Sequence, residues 1–286
     1  MSLPAFDGES RELWLVAGPV ASGKTTACTR LYKAYGAAHW CEDVAYNAAY
    51  KQLGYKWWDW TKRIQPENAR EEIRIVDELY TRPLERCVEG KKPLVCVESA
   101  FNAKSLQKWQ EKAQEANRKL RLVMVYEREV LEGLERTRKR DYAGIENMPT
   151  VKEYMEAGVH KQVIKRDLEF QKQAVTVFDA ACALGIHVEL YEHVFPKNRE
   201  EDGLVLVASK EANGDLHIEK EERFAFFRVK AKINPHADIR TRLISTDKGY
   251  VFNMSAPYQD LFCDSLTRSE QYLTDQLQSK RVLELG

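Results

Sequence analysis

The sequence has no apolar run approaching the ~18–20 residues that a membrane-spanning helix needs, which argues against a membrane partner. It also has no net charge: 44 Lys and Arg balance 44 Asp and Glu, so charge alone gives no reason to expect nucleic acid or a lipid surface as obligatory partner. A local basic groove is still compatible with that balance, and nucleic acid stays open as a partner. The six cysteines (Cys28, Cys41, Cys87, Cys96, Cys182 and Cys263) include no C-x-x-C pair and no histidine at zinc-finger spacing. They read as reduced, mostly buried thiols, as expected of a cytoplasmic protein. The opening residues, MSLPAFDGES, are too polar and acidic for a signal peptide. No internal repeat and no low-complexity tract interrupts the chain. With 286 residues there is enough chain for one large domain, or a main domain with a smaller one.

What is present is concentrated in residues 13–26, LWLVAGPVASGKTT. The apolar run at 13–17 has the length and composition of a buried strand, and residues 26–35 suit a helix. Between them, GPVASGKT fits G-x-x-x-x-G-K-[ST], the phosphate-binding P-loop or Walker A pattern, at every fixed position. Gly18 and Gly23 supply backbone angles that turn consecutive N–H groups onto phosphate oxygens, a cradle that Ala21, Ser22 and Thr26 share. The following helix contributes free N–H groups and the positive end of its dipole. Lys24 would place a point charge at the β- and γ-phosphates, and the Thr25 hydroxyl would ligate Mg²⁺. The alternative, a plain glycine turn, accounts for less of this order of features.

Further apolar runs at 37–40, 94–97, 120–126 and 186–191 alternate with helical stretches. That alternation predicts an α/β fold: a P-loop NTPase with a mainly parallel sheet covered by helices on both faces. A charged amphipathic helix is expected over residues 66–88, with Pro83 as a kink or break, and Gly185 is expected to cap a long helical region. The polar stretch 196–203 reads as a linker, dividing a kinase-like domain (1–195) from a C-terminal part (204–286). That part is expected to be a small β-rich module with a closing helix, or an extension of the main sheet. In it, residues 204–207 and 224–233 look strand-like, and Asn213-Gly214 and Lys248-Gly249 are hairpin signals.

Active sites of open α/β sheets gather at the carboxyl ends of the strands. Asp43 follows the second strand and is a candidate general base for an attacking hydroxyl, or else an N-cap; Glu42 is its competitor. Glu98 follows the 94–97 run, a Walker-B-like place, where a carboxylate can hold the Mg²⁺ water shell, bind a substrate hydroxyl, or cap a helix. The basic run Arg136-Thr137-Arg138-Lys139-Arg140 suits a lid that closes on the phosphates, or a solvated helix face; Arg136 and Arg140 share a side. Tyr55, Trp57, Trp58 and Trp60 could stack a base, anchor a partner or pack in a core. The histidines, among them His39, His160 and His187, have no ligand partners at useful sequence spacing and are assigned no role.

In their order, the segments GPVASGKTT, HWCEDVAYNAAYK, PLVCVESAFN and LERTRKR resemble the zeta-toxin family of P-loop kinases, within the wider polynucleotide-kinase-like group. The resemblance spans about residues 11–190. It implies a kinase using ATP or GTP with Mg²⁺ to phosphorylate a hydroxyl of a nucleotide-like small molecule. In those terms Lys24 and Thr25 serve phosphate and metal, Asp43 activates the acceptor, Glu98 contacts the substrate, and Arg136, with Arg140 or Arg166, acts from the lid. It also implies a protein partner of the antitoxin or chaperone kind. The glycine and threonine that usually follow the family's glutamate are here Ser99 and Ala100, so the acceptor is not named by the likeness.

Overall fold

The structure, a computed structural model, describes residues 4–19, 22–52, 69–127, 159–194, 203–230, 243–246 and 249–252. Strand β1 (Glu12–Ala17) is buried along its whole length, as its apolar composition requires. Helix α1 (Lys24–Tyr35) follows the glycine loop and ends at Gly36, whose left-handed conformation lets its N–H bond to the Tyr32 carbonyl. Then come β2 (Ala38–Cys41), α2 (Glu42–Gln52), α3 (Ala69–Val76) and α4 (Arg82–Glu89). Next are β3 (Leu94–Glu98), α5 (Leu106–Glu115), β4 (Lys119–Glu127), α6 (Val159–Ala183) and β5 (His187–Val194). A π-helical turn, Asp77–Thr81, joins α3 to α4 immediately before Pro83. The proline has no N–H to give to the preceding turn, and the wider turn accommodates it.

Five strands run parallel in the order β2-β3-β1-β4-β5, so β1 is central and its loop opens where the strand order reverses. Side chains alternate between two cores. On one face Trp14, Val16, Leu94, Cys96, Val123 and Val125 pack with Ala27, Cys28 and Leu31 of α1. On the other, Leu13, Leu15, Val95, Val97, Leu122 and Met124 pack with Val177, Phe178 and Ala181 of α6. The expected parallel sheet with helices on both faces is what forms.

The C-terminal part takes one of its two expected forms and differs from expectation elsewhere. Strands β6 (Gly203–Lys210) and β7 (Leu216–Ile218) are antiparallel additions that extend the main sheet, β6 pairing with β5. This pairing covers the otherwise open edge of β5. Asn213 at φ 59 and the Gly214 N–H bonded to the Glu211 carbonyl form the expected turn between them. The difference is α7 (Glu221–Lys230), a helix where residues 224–230 look strand-like in sequence; 231–233 lie outside the described residues. Tertiary packing decides this: Phe226 and Phe227 are fully buried against Tyr126, and Phe224 and Phe227 lie beside Phe178 of α6. The short apolar run lacks an intrinsic preference strong enough to resist it. Strands β8 (Leu243–Thr246) and β9 (Gly249–Phe252) pair antiparallel in a separate sheet; Lys248 of the expected turn lies outside the described residues.

Gly185 caps α6 as expected. At φ 67 it donates to the Cys182 carbonyl while Ile186 donates to Ala181, a Schellman arrangement that satisfies the helix's last carbonyls. At the amino edge of the sheet, buried Arg118 donates to the carbonyls of Val88, Gly90, Lys92, Pro93 and Glu12 at 2.6–3.2 Å. One guanidinium thus fastens the end of α4 and the start of β3 to β1. No helix among the described residues is long and apolar enough to cross a membrane.

Candidate nucleotide site

The loop between β1 and α1 threads so closely against the sheet that only glycine fits at its two ends. Gly18 has φ 149, and a Cβ there would stand 1.9 Å from the Val125 carbonyl oxygen of β4. Gly23 has φ 97, and its Cβ would stand 2.0 Å from His193 Nδ1 of β5. Both the backbone sign and the space exclude a side chain. Lys24 Nζ donates to the carbonyls of Gly18 at 3.1 Å and Pro19 at 2.8 Å, so its charge lies over the loop. The buried Ser22 hydroxyl has no hydrogen-bond partner among the described residues, leaving a donor inside the loop. The first turn of α1 carries no acidic residue to oppose an anion. Together these features fit a phosphate group. Ala21 lies outside the described residues; Thr26 is in the first turn of α1.

Next to the loop, strand register aligns Val16, Glu98 and Cys41 across β1, β3 and β2. Glu98, only 4% exposed, accepts a hydrogen bond from Thr25 Oγ1 at 2.6 Å through Oε1. Its Oε2 stands 3.0 Å from His39 Nε2. Burial pushes this carboxyl up, but the bonds from His39 and Thr25 and the charge of Lys24 outweigh it and hold it below its ordinary value. The carboxylate is therefore ionised, directly behind the hydroxyl that the P-loop pattern assigns to a metal. That chemistry fits Mg²⁺, which takes oxygen ligands and keeps a water shell.

Asp43 lies in the first turn of α2, at the same edge of the sheet and exposed to solvent. Its neighbour Glu42 is engaged instead: Tyr80 donates to Oε1 at 2.9 Å, and the Ser99 hydroxyl donates to Oε2. Ser99, which departs from the family pattern, thus holds Glu42 against β3. The structure brings Gly18, Ser22, Gly23, Lys24, Thr25 and Glu98 together, and puts Asp43 beyond β3 at the end of β2. Arg136 and Arg140, and the aromatic segment with Trp57, Trp58 and Trp60, lie outside the described residues.

Sequence reasoning missed His39 and His193. His39 joins the site because β2 pairs with β3, and His193 because β5 closes beneath Gly23; both are non-local neighbours. Period-two alternation on β2, which puts His39 and Cys41 on one face, was the one local hint. Sequence reasoning also missed a buried polar network nearby. Tyr126 donates to Glu192 Oε2 at 2.9 Å and to the Arg223 carbonyl at 2.8 Å, and Arg223 pairs with Glu192 Oε1 at 2.6 Å, tying α7 to β4 and β5.

No protein family and no curated protein matches the chain in sequence. Among solved structures, the chain is similar to one in the AvrRxo1-ORF1:ORF2 complex, with TM-score 0.52 and 15% identity over 94% of this chain and 76% of that one. The same complex with ATP gives TM-score 0.50 and 16% identity, covering 94% and 81%. The chain thus shares with these structures its fold, a mainly parallel α/β sheet covered by helices on both faces with the P-loop between β1 and α1.

Proposed function

We propose that this protein is an Mg²⁺-dependent kinase that moves the γ-phosphoryl group of ATP or GTP to a hydroxyl of a nucleotide-like small molecule. The observation that carries the reading is the Thr25–Glu98 hydrogen bond, which places an ionised carboxylate behind the P-loop hydroxyl. Slow phosphate binding alone would not need that carboxylate. The likeness to a complex solved with ATP supports a nucleotide as donor.

In this reading the loop N–H groups and Lys24 hold the β- and γ-phosphates, and Thr25 with Glu98 behind it would hold Mg²⁺, which supplies charge neutralisation. Of the sequence alternatives for Glu98, its bond to Thr25 favours the metal side over contact with the acceptor. Asp43, exposed and one strand beyond Glu98, takes the proton of the acceptor hydroxyl as that oxygen bonds to the γ-phosphorus. The bond to the bridging oxygen breaks and the nucleoside diphosphate leaves. Glu42 is held by Tyr80 and Ser99, which favours Asp43 over it as base. Arg136 and Arg140 close over the phosphates as a lid. The similar structure is a two-protein complex, which supports a protein partner; the proposal makes that partner one of the antitoxin or chaperone kind and the setting the cytoplasm.

The test is transfer of labelled γ-phosphate from ATP and GTP into nucleotide sugars, dinucleotides, nucleosides and short oligonucleotides. Label on one acceptor, lost in Lys24→Ala and Asp43→Asn, supports the kinase and names its substrate class. Label confined to oligonucleotides would make it a polynucleotide kinase. Free phosphate alone, rising with a protein partner, would replace the kinase with a partner-stimulated NTPase.

A further inference from the structure

Behind Thr25, one helical turn along α1, the Cys28 side chain meets His39 and Glu98. A sulfur, a ring nitrogen and a carboxylate oxygen from these three residues all lie within 4.8 Å of one another. They come from three elements: Cys28 from the buried side of α1, His39 from β2 and Glu98 from the end of β3. The parallel register that sets Cys41 opposite Glu98 and His39 opposite Cys96 brings the imidazole beside the carboxylate.

We propose that Cys28, His39 and Glu98 form a binding site for a soft divalent cation of the zinc class, distinct from the oxygen-lined Mg²⁺ position and sharing Glu98 with it. The ligand chemistry selects the metal. Thiolate and imidazole favour zinc-class ions, whereas Mg²⁺ takes oxygen and keeps its waters. The geometry is near what such an ion requires. Nitrogen and oxygen ligands around a tetrahedral zinc stand about 3.4 Å apart, and His39 Nε2 and Glu98 Oε2 are already at 3.0 Å. Sulfur and nitrogen ligands stand about 3.6 Å apart, which small rotations of Cys28 and His39 supply. Three protein ligands leave the fourth position open to water or to the Thr25 hydroxyl.

Access is through the imidazole, whose side chain is 22% exposed, while Cys28 and Glu98 are buried. Burial pushes the Cys28 thiol well above its usual range, so the free thiol stays protonated and inert toward oxidants. Coordination exchanges that proton for the metal: one sulfur–metal bond forms, and one proton leaves to solvent for each cation bound. Both metals would draw on Glu98, whose Oε2 faces His39 while its Oε1 accepts from Thr25. If the kinase reading holds, zinc-class ions then compete with Mg²⁺-nucleotide for that charge; metal binding itself does not depend on that reading.

The experiment is a titration of the reduced, full-length protein with Co²⁺ alone, followed by absorption, then displacement by Zn²⁺. The expected result is one equivalent with a thiolate-to-cobalt charge-transfer band, bleached by Zn²⁺ and accompanied by release of one proton. The band should vanish in Cys28→Ser and Cys28→Ala, and affinity should fall in His39→Gln by more than the about 10–100-fold that loss of an outer-shell partner costs. It should persist in Cys41→Ser and Cys182→Ser. Circular dichroism identifies any Cys28 variant that fails to fold, and the partly exposed His39→Gln then decides the matter. No band in the wild type, a band that survives loss of Cys28, or one that His39→Gln leaves unchanged would overturn the site. None of these readouts involves nucleotide, so failure of the kinase reading shows separately.

Discussion

Thr25 and Glu98 are 73 positions apart in the sequence, and the hydroxyl of one donates to the carboxylate of the other at 2.6 Å. The contact exists because α1 rises from β1 while β3 pairs parallel beside it, with Val16 opposite Glu98. It joins the phosphate loop to a neighbouring strand, and Glu98 extends the link to His39 on β2. Perturbing this chain of bonds should have separable consequences.

Glu98→Gln keeps an acceptor for Thr25 but removes the negative charge. The expected outcome is an apparent Mg²⁺ requirement raised about 10–100-fold in a protein that still folds. Mg²⁺ titrations of nucleotide turnover or binding read this directly. An unchanged Mg²⁺ dependence would detach Glu98 from the metal.

The Glu98 carboxyl is held below its ordinary value in the folded protein, despite a burial effect that pushes the other way. A depressed acid stabilises the fold fully at pH values above its unfolded pKa, and that contribution is lost as pH falls through the folded value. His39→Ala removes one of the bonds responsible. The variant should therefore be less stable than wild type at neutral pH, and the difference should shrink as pH falls through the folded value of Glu98. Urea unfolding at a series of pH values measures it; a gap that widens toward acid would contradict the assignment.

Gly23→Ala meets two obstacles, a left-handed backbone angle and His193 Nδ1 at 2.0 Å from the new Cβ. The backbone part alone costs about 1–3 kcal/mol. Adding His193→Ala should relieve the collision but not the angle, so the double variant should be less destabilised than the sum of its parts. Denaturant midpoints of the three variants give the coupling. Strict additivity would show that the loop moves away from β5 at no cost.

Arg118→Ala leaves several buried carbonyls without their donor, at about 1–3 kcal/mol for each one not rescued by water. A loss of about 3 kcal/mol or more is expected in chemical unfolding. Lysine should not restore it, because a single ammonium cannot span the carbonyls that the guanidinium fork reaches. Arg118 is at the amino edge of the sheet, so nucleotide affinity of the folded fraction should be preserved.

Much of the fold could be read from local pattern. The runs at 13–17, 94–97 and 120–126 became β1, β3 and β4, and the 213–214 turn formed as expected. At 224–230 the expected strand is a helix because a short apolar run suits either, and the choice fell to the aromatic pocket made by Tyr126 and Phe178. The π-helical turn before Pro83 is a regional compromise of the same kind, with the proline visible and its remedy not.

For the site, the sequence by itself determined the phosphate loop. Its glycines, lysine and threonine act through their own backbone and the helix they begin, and such local chemistry is written in consecutive residues. Which carboxylate stands behind the threonine was decided only by tertiary structure. Asp43 and Glu98 both follow strands, and sequence spacing weights them alike. Strand order β2-β3-β1 puts β3, not β2, beside the loop, so Glu98 meets Thr25 and Asp43 lies beyond it. The same pairing brings His39 and Cys28 to that carboxylate. Strand order and register arise from packing the whole sheet between its helices, and no short stretch of sequence encodes them.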